Sequence, residues 1–144
     1  MRENYTLTRL YIDASLFAGA DINLPKEQVH YLVNVLRKHT GDHVRVFNGR
    51  DGEWRAQIME ISKRSANLRA VDMLRPQMDA PDIWLCFAPV RKHRNGFILE
   101  KATELGAARL QPVLTRRTQF GKINLSKMNA QIVEAAEQTE RLCL

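Results

Sequence analysis

The four residues Thr115-Arg116-Arg117-Thr118 set two guanidinium groups side by side between two hydroxyls. Arginine offers paired N–H donors that match a phosphate or a carboxylate, so this run is suited to gripping an anion. Arg91-Lys92-His93-Arg94 is a second cationic cluster. From Glu104 to Glu134 the chain has no acidic residue in between, while Arg109, Arg116, Arg117, Lys122 and Lys127 all fall inside. A stretch of one sign attracts a polyanion, although a basic face that only keeps a protein in solution has the same charge pattern. Lys101 and Glu104 are three apart, and Glu137 and Arg141 four apart, the separations of ion pairs along a helix. His30 has no second ligand at metal-binding spacing, and Cys86 and Cys143 lie far apart. These residues predict no metal site, and each cysteine reads as a small buried hydrophobe in a reducing compartment.

The elements that must position these groups obey two different periods. Residues 5–74 read as β-rich. "TRLYID" alternates, and "HVRVFNGRDGEWRAQIMEI" is a hairpin, with Val44 and Val46 leading into Asn48–Gly52 and Trp54, Ala56, Ile58 and Ile61 leading out. "SANLRAVDML" reads as a further strand. In "PKEQVHYLVNVLRKHTGD", Val29, Leu32, Val33 and Leu36 recur at helical spacing, with Pro25 suiting the first turn and Gly41 the stop. This predicts a small barrel with a helix plugging one end. Residues 75–82, "RPQMDAPD", read as a linker.

Beyond it, "IWLCFAPV" is a continuous apolar run, as for a strand covered on both faces. "RKHRNGFILEKATELG" reads as a helix facing the core with Phe97, Ile98, Ala102 and Leu105 and capped by Gly106. "ARLQPVL" reads as a second, parallel strand. A last helix starts at Ser126 as N-cap and turns Met128, Ile132, Ala135, Ala136, Thr139 and Leu142 to one side. Open parallel sheets gather ligands at the carboxyl ends of their strands, so both cationic clusters are expected on one active edge.

At 144 residues, 44% hydrophobic and 26% charged, the composition is that of one or two soluble globular domains. No apolar run approaches the ~20 residues of a membrane span, and "MRENYTLTRLYIDAS" has no secretory apolar core. The net charge of +6 is shared equally by the two halves. No helix-turn-helix or zinc-finger pattern argues for DNA.

Three stretches, "HYLVNVLRKHTGDHVRVFNG", "FILEKATELGAARLQPVLTRRT" and "IVEAAEQTER", resemble in order and separation the RsmE family of ribosomal RNA small subunit methyltransferases. The resemblance implies an α+β, α/β two-domain fold. A PUA-like RNA-binding β-barrel over 1–74 and the 75–82 linker would be followed, over 83–144, by the first βαβα part of a SPOUT-type trefoil-knot methyltransferase domain. It implies methylation of uridine N3 in 16S rRNA, S-adenosyl-L-methionine as cofactor, a homodimer, and cytoplasmic location.

The family's Gly-Pro-Glu-Gly-Gly-like loop and Leu-Arg-x-Glu-Thr-like stretch do not occur in this sequence. The cofactor pocket is therefore expected beyond Leu144, the knot is expected to be absent, and this portion alone is expected to be inactive. Carried over residue by residue, the resemblance puts Arg9 near the substrate and makes His30, Arg37 and Lys38 RNA contacts. Arg116 and Arg117 become RNA-phosphate contacts. Lys101, Glu104, Gln138 and Arg141 become supporting groups, and Glu137 a candidate base for N3. The competing expectation is a PUA-like RNA-binding protein without catalysis.

Overall fold

The computed structural model describes residues 6–90, 92–118 and 123–143, leaving aside the Lys92 side chain. The chain divides into two compact units, Met1–Gln77 and Met78–Leu144. Among the described residues no helix is long and apolar enough to cross a membrane.

In the first unit, five strands form one mixed, curled sheet: β1 (Arg9–Tyr11), β2 (Asp21–Asn23), β3 (His43–Phe47), β4 (Glu53–Ile61) and β5 (Ala66–Arg75), in the order β1-β3-β4-β5-β2. The hairpin expected around Asn48–Gly52 is β3–β4, antiparallel with Val46 opposite Trp54. Gly49 and Gly52 supply its left-handed backbone, at φ +78 and +81. β1 joins the other edge of β3 in parallel, Leu10 beside Val46. β2 was not expected; it pairs antiparallel with β5, Ile22 opposite Leu68. Register shifts along β4–β5 bend the ribbon. Leu10, Ile12, Ile22, Val44, Val46 and Leu68 are among the side chains of a continuous apolar interior.

Val29 and Leu32 enter that interior from the helical segment, which plugs the barrel as expected but not as one α-helix. α1 spans only Lys26–His30, with Pro25 as its N-cap rather than in its first turn, and gives way to a π-helical turn, Tyr31–Val35. The left-handed residue after it is Arg37, at φ +52; Gly41, at φ +92, serves the later turn into β3. An inserted π turn changes the rotation per residue, so the α-helical argument for setting His30 and Arg37 on one face does not hold.

The second unit contains β6 (Trp84–Phe87), α2 (Lys92–Glu104), β7 (Arg109–Pro112) and α3 (Leu125–Gln138). β6 and β7 are parallel, as expected, with Trp84 beside Arg109 and Phe87 beside Pro112. Gly106, at φ +91, closes α2 as expected. Its buried side chains include Leu99, Ala102, Ala135, Ala136 and Leu142.

Three expectations need correction here. Phe97 is 61% and Leu105 84% exposed, so helical spacing identified the apolar residues but not the covered ones. β6 alternates exposed and half-covered rather than being covered on both faces, and Cys86 is exposed, because the described sheet has two strands only. Asn124, not Ser126, caps α3: its Oδ1 accepts the Lys127 N–H at 3.0 Å.

Candidate functional site

Past Pro112, the Val113 N–H still donates to the Phe87 carbonyl at 2.9 Å, and then the chain turns sharply. The two threonines explain the turn. Thr118 N–H donates to the Thr115 carbonyl at 3.0 Å, Thr115 N–H donates to Thr118 Oγ1 at 2.7 Å, and the two hydroxyls are 2.9 Å apart. Arg116 and Arg117 occupy the two central positions, both exposed. The short side chains close the turn and the long cationic ones are left at its apex. Because β6 and β7 run parallel in register, residues 88–90 leave the same end of the sheet. There Val90 N–H is held by Asn95 Oδ1 at 2.8 Å, and His93 and Arg94 are exposed. Arg91 lies outside the described residues.

Beside this end, α2 and α3 wall a cleft of about 940 Å³, whose lining includes His93, Phe97, Glu100, Lys127, Gln131 and Gln138. The helices approach closely at Gly96, where an added Cβ would stand 3.1 Å from Gln131 Nε2. Of the expected supporting groups, only Gln138 lines the cleft. Lys101 ion-pairs at 2.9 Å with both Glu100 and Glu104, and these carboxylates raise its pKa, Glu104 foremost. Glu137 is half-buried on α3. Arg141 lies past the end of α3 and acts as a pin: its guanidinium donates to the carbonyls of Thr103 (2.7 Å), Ala107 (2.5 Å) and Cys143 (2.7 Å). A cation there also meets the negative end of α2, and its partial burial lowers its pKa.

In the barrel, Arg9 is 5% exposed. Its Nε donates to Glu53 Oε1 at 2.5 Å, and its guanidinium carbon stands 3.7 Å from the centre of the Phe47 ring. Glu53, 1% exposed, also takes Arg75 Nε at 2.9 Å and has Arg45 Nη1 at 3.7 Å. One interior carboxylate thus gathers arginines from β1, β3 and β5, which makes Arg9 a fastening of the barrel interior. Glu53 was not singled out from sequence. Strand alternation sets it opposite the inward Trp54, but a register shift falls between the two and both are buried. The clue in the sequence is a glutamate directly after a left-handed glycine at the start of an apolar strand. His30 and Arg37 are exposed and Lys38 half-buried on the helical segment and the turn that follows it.

Among the described residues no group of three or more His, Cys, Asp or Glu side chains could hold a metal. The cleft is large enough for a cofactor of the size of S-adenosyl-L-methionine, and its lining includes imidazole, amide and carboxylate side chains that could meet one. His93 lies in the first turn of α2, where backbone N–H groups have no partner within the helix, while the Val90 N–H in the loop is held by Asn95.

Two family models match the chain, the RNA methyltransferase PUA domain over residues 24–71 and the RNA methyltransferase domain over 78–144. A ribosomal RNA small subunit methyltransferase E from Rickettsia conorii is 34% identical over 93% of this chain and 55% of its own length. One from Synechocystis is 34% identical over 92% of this chain and 44% of its own. Among solved structures, a methyltransferase from Legionella pneumophila with SAM bound superposes with a TM-score of 0.83 at 27% identity, over 96% of this chain and 60% of that one. The SAM-bound methyltransferase E of Neisseria gonorrhoeae, at 24% identity, shares the fold with a TM-score of 0.81 over 96% of this chain and 60% of that one. The chain spans about half the length of the curated relatives it matches. With a unit that matches the RNA methyltransferase PUA domain followed by one that matches the RNA methyltransferase domain, this chain groups with the RNA methyltransferases and is similar to the ribosomal RNA small subunit methyltransferases E.

Proposed function

We propose that this chain provides the RNA-binding barrel and part of the catalytic unit of an enzyme that methylates uridine N3 in 16S rRNA. S-adenosyl-L-methionine is the methyl donor of that proposal, its pocket completed by residues other than those described. A homodimer in the cytoplasm is part of the same reading. The observation that carries it is the threonine-closed turn, which leaves Arg116 and Arg117 exposed at the carboxyl end of a parallel pair. Solvent-facing guanidinium groups on a closed turn suit the phosphates of a splayed RNA strand.

Uracil N3 must lose its proton before it can act as a nucleophile, and negative charge then spreads over the ring carbonyls. The half-buried Glu137 is the candidate to take that proton, with Gln138 in the cleft to orient the ring. Arg37, Lys38 and His30 are proposed as backbone contacts from the barrel. Arg9, closed in by Glu53 and Phe47, is proposed to support that unit from inside rather than to touch RNA.

The test is RNA binding as a function of salt. R116A/R117A should weaken affinity and reduce the slope of log K against log salt by about 0.7 for each phosphate no longer held. An unchanged slope removes these arginines from the interface. The second reading is an RNA-binding piece without catalysis of its own. Calorimetry separates the two, because a saturable heat with adenosylmethionine would show that the described residues do bind it.

A further inference from the structure

The barrel offers a kind of contact that the arginine turn does not. Between β1 and β2 the chain makes a tight excursion whose ends are bolted down. Leu16 is buried, and its N–H donates to Asp51 Oδ2 at 2.9 Å; Gly19 N–H donates to the Ala70 carbonyl at 2.8 Å. Ala20 N–H reaches the Phe17 carbonyl at 3.0 Å, with Gly19 left-handed at φ +85, so residues 17–20 form a β-turn. Phe17 begins that turn and is 59% exposed. Ala18 and Gly19 beside it are small and exposed, and a Cβ built on Gly19 meets nothing within 4 Å.

The tether leads to the β3–β4 loop. Asn48 Oδ1 accepts the N–H groups of Arg50 and Asp51, and Asn48 Nδ2 donates to Asp51 Oδ2 at 2.6 Å and to the Ala14 carbonyl at 2.8 Å. Trp54 Nε1 donates to the Asp51 carbonyl at 2.8 Å. Phe17 and Arg50 therefore stand one residue to either side of a single fixed hydrogen bond. Several other arginines of the barrel are engaged, Arg55 with Asp72, Arg69 with Asp21 and Arg75 with Glu53, whereas Arg37 and Arg64 are exposed like Arg50 but lie away from this tether. Arg50 is exposed and makes no ion pair among the described residues.

A lone exposed phenylalanine is ordinary. One held on a bolted turn, in open space, next to an unengaged arginine, has the parts of a single-strand contact: a π face for a base and a guanidinium for the adjoining phosphate. We propose that Phe17 stacks on a base of single-stranded RNA while Arg50 takes the neighbouring phosphate, Asp51 being the positioning residue for both. This rests on the RNA-binding reading above and adds a base-stacking contact to it.

The experiment uses the 144-residue chain and a fluorescein-labelled single-stranded 12-mer RNA, read by anisotropy. F17A should weaken binding about 5- to 100-fold without altering the salt slope, and F17Y should restore it. R50A should lower the slope by about 0.7. D51A should weaken binding while leaving the salt slope that Arg116 and Arg117 contribute. F17W gives the direct signature, a tryptophan emission quenched by RNA beyond any change in the parent chain. If F17A binds within twofold and F17W is not quenched, while R116A/R117A loses binding, this contact is wrong and the RNA reading stands. No binding by the unmodified chain overturns both.

Discussion

At the level of single residues, Asp51 and Arg37 each store free energy in a way that can be measured. Asp51's carboxyl is held below its ordinary 3.8 by the Leu16 N–H first, then by Asn48 and by the nearby Arg50 charge. A carboxyl whose pKa is depressed by folding contributes stability that is fully present above its unfolded value and is lost as pH falls through the folded one. The stability difference between the parent chain and D51A should therefore be constant above about pH 5 and shrink below pH 3.8, as followed by urea midpoints. Arg37 sits at φ +52, where a side chain costs about 1 kcal/mol and glycine does not. R37G should raise stability by about 0.5–1 kcal/mol while weakening RNA binding. If it raises both, Arg37 is a tolerated accident of the chain and not a contact.

The elements show which sequence signals decided the fold and which were too weak to. Alternation and the paired glycines gave away the β3–β4 hairpin, because only that backbone can reverse between two strands there. The apolar run, helix and Gly106 likewise exposed the β6-α2-β7 unit. The π turn was hidden, since Val29 and Leu32 meet the interior at a spacing compatible with either helix, and packing selects the wider one. β2 was missed because three residues with one buried side chain carry no readable period. At α3, Asn124 and Ser126 are both good caps two positions apart, and only the hydrogen bond to Lys127 settles the choice. N124A should cost about 1 kcal/mol, seen as a lower melting temperature of the second unit. Of the candidate site, the arginine turn was legible because threonine and arginine have distinct uses in a turn. The interior place of Arg9 was not, because it depends on Glu53 from a strand 44 positions away.

Across the molecule the two units differ in how much apolar surface they cover. The barrel encloses a continuous cluster around Leu32, Val44, Val46, Ile58 and Leu68, whereas Trp84, Phe97, Leu105, Leu114 and Leu125 of the second unit lie exposed. Hydrophobic burial at roughly 25 cal/mol per Å² makes the second unit the weaker one. Urea should unfold it first, so that Trp84 emission, isolated in W54F, changes at lower denaturant than Trp54 emission isolated in W84F. Coincident transitions would show one cooperative body instead. Within the barrel, β1 is only three residues long and among the described strands has only β3 beside it, the sort of edge that normally frays. Its Arg9, however, shares an anion with neighbours on β3 and β5, and detaching the strand would strand that carboxylate among fewer cations. Deuterium should consequently enter the Leu10 and Ile12 amides as slowly as it enters β4, and a protein softened by E53Q should let it in at the rim first.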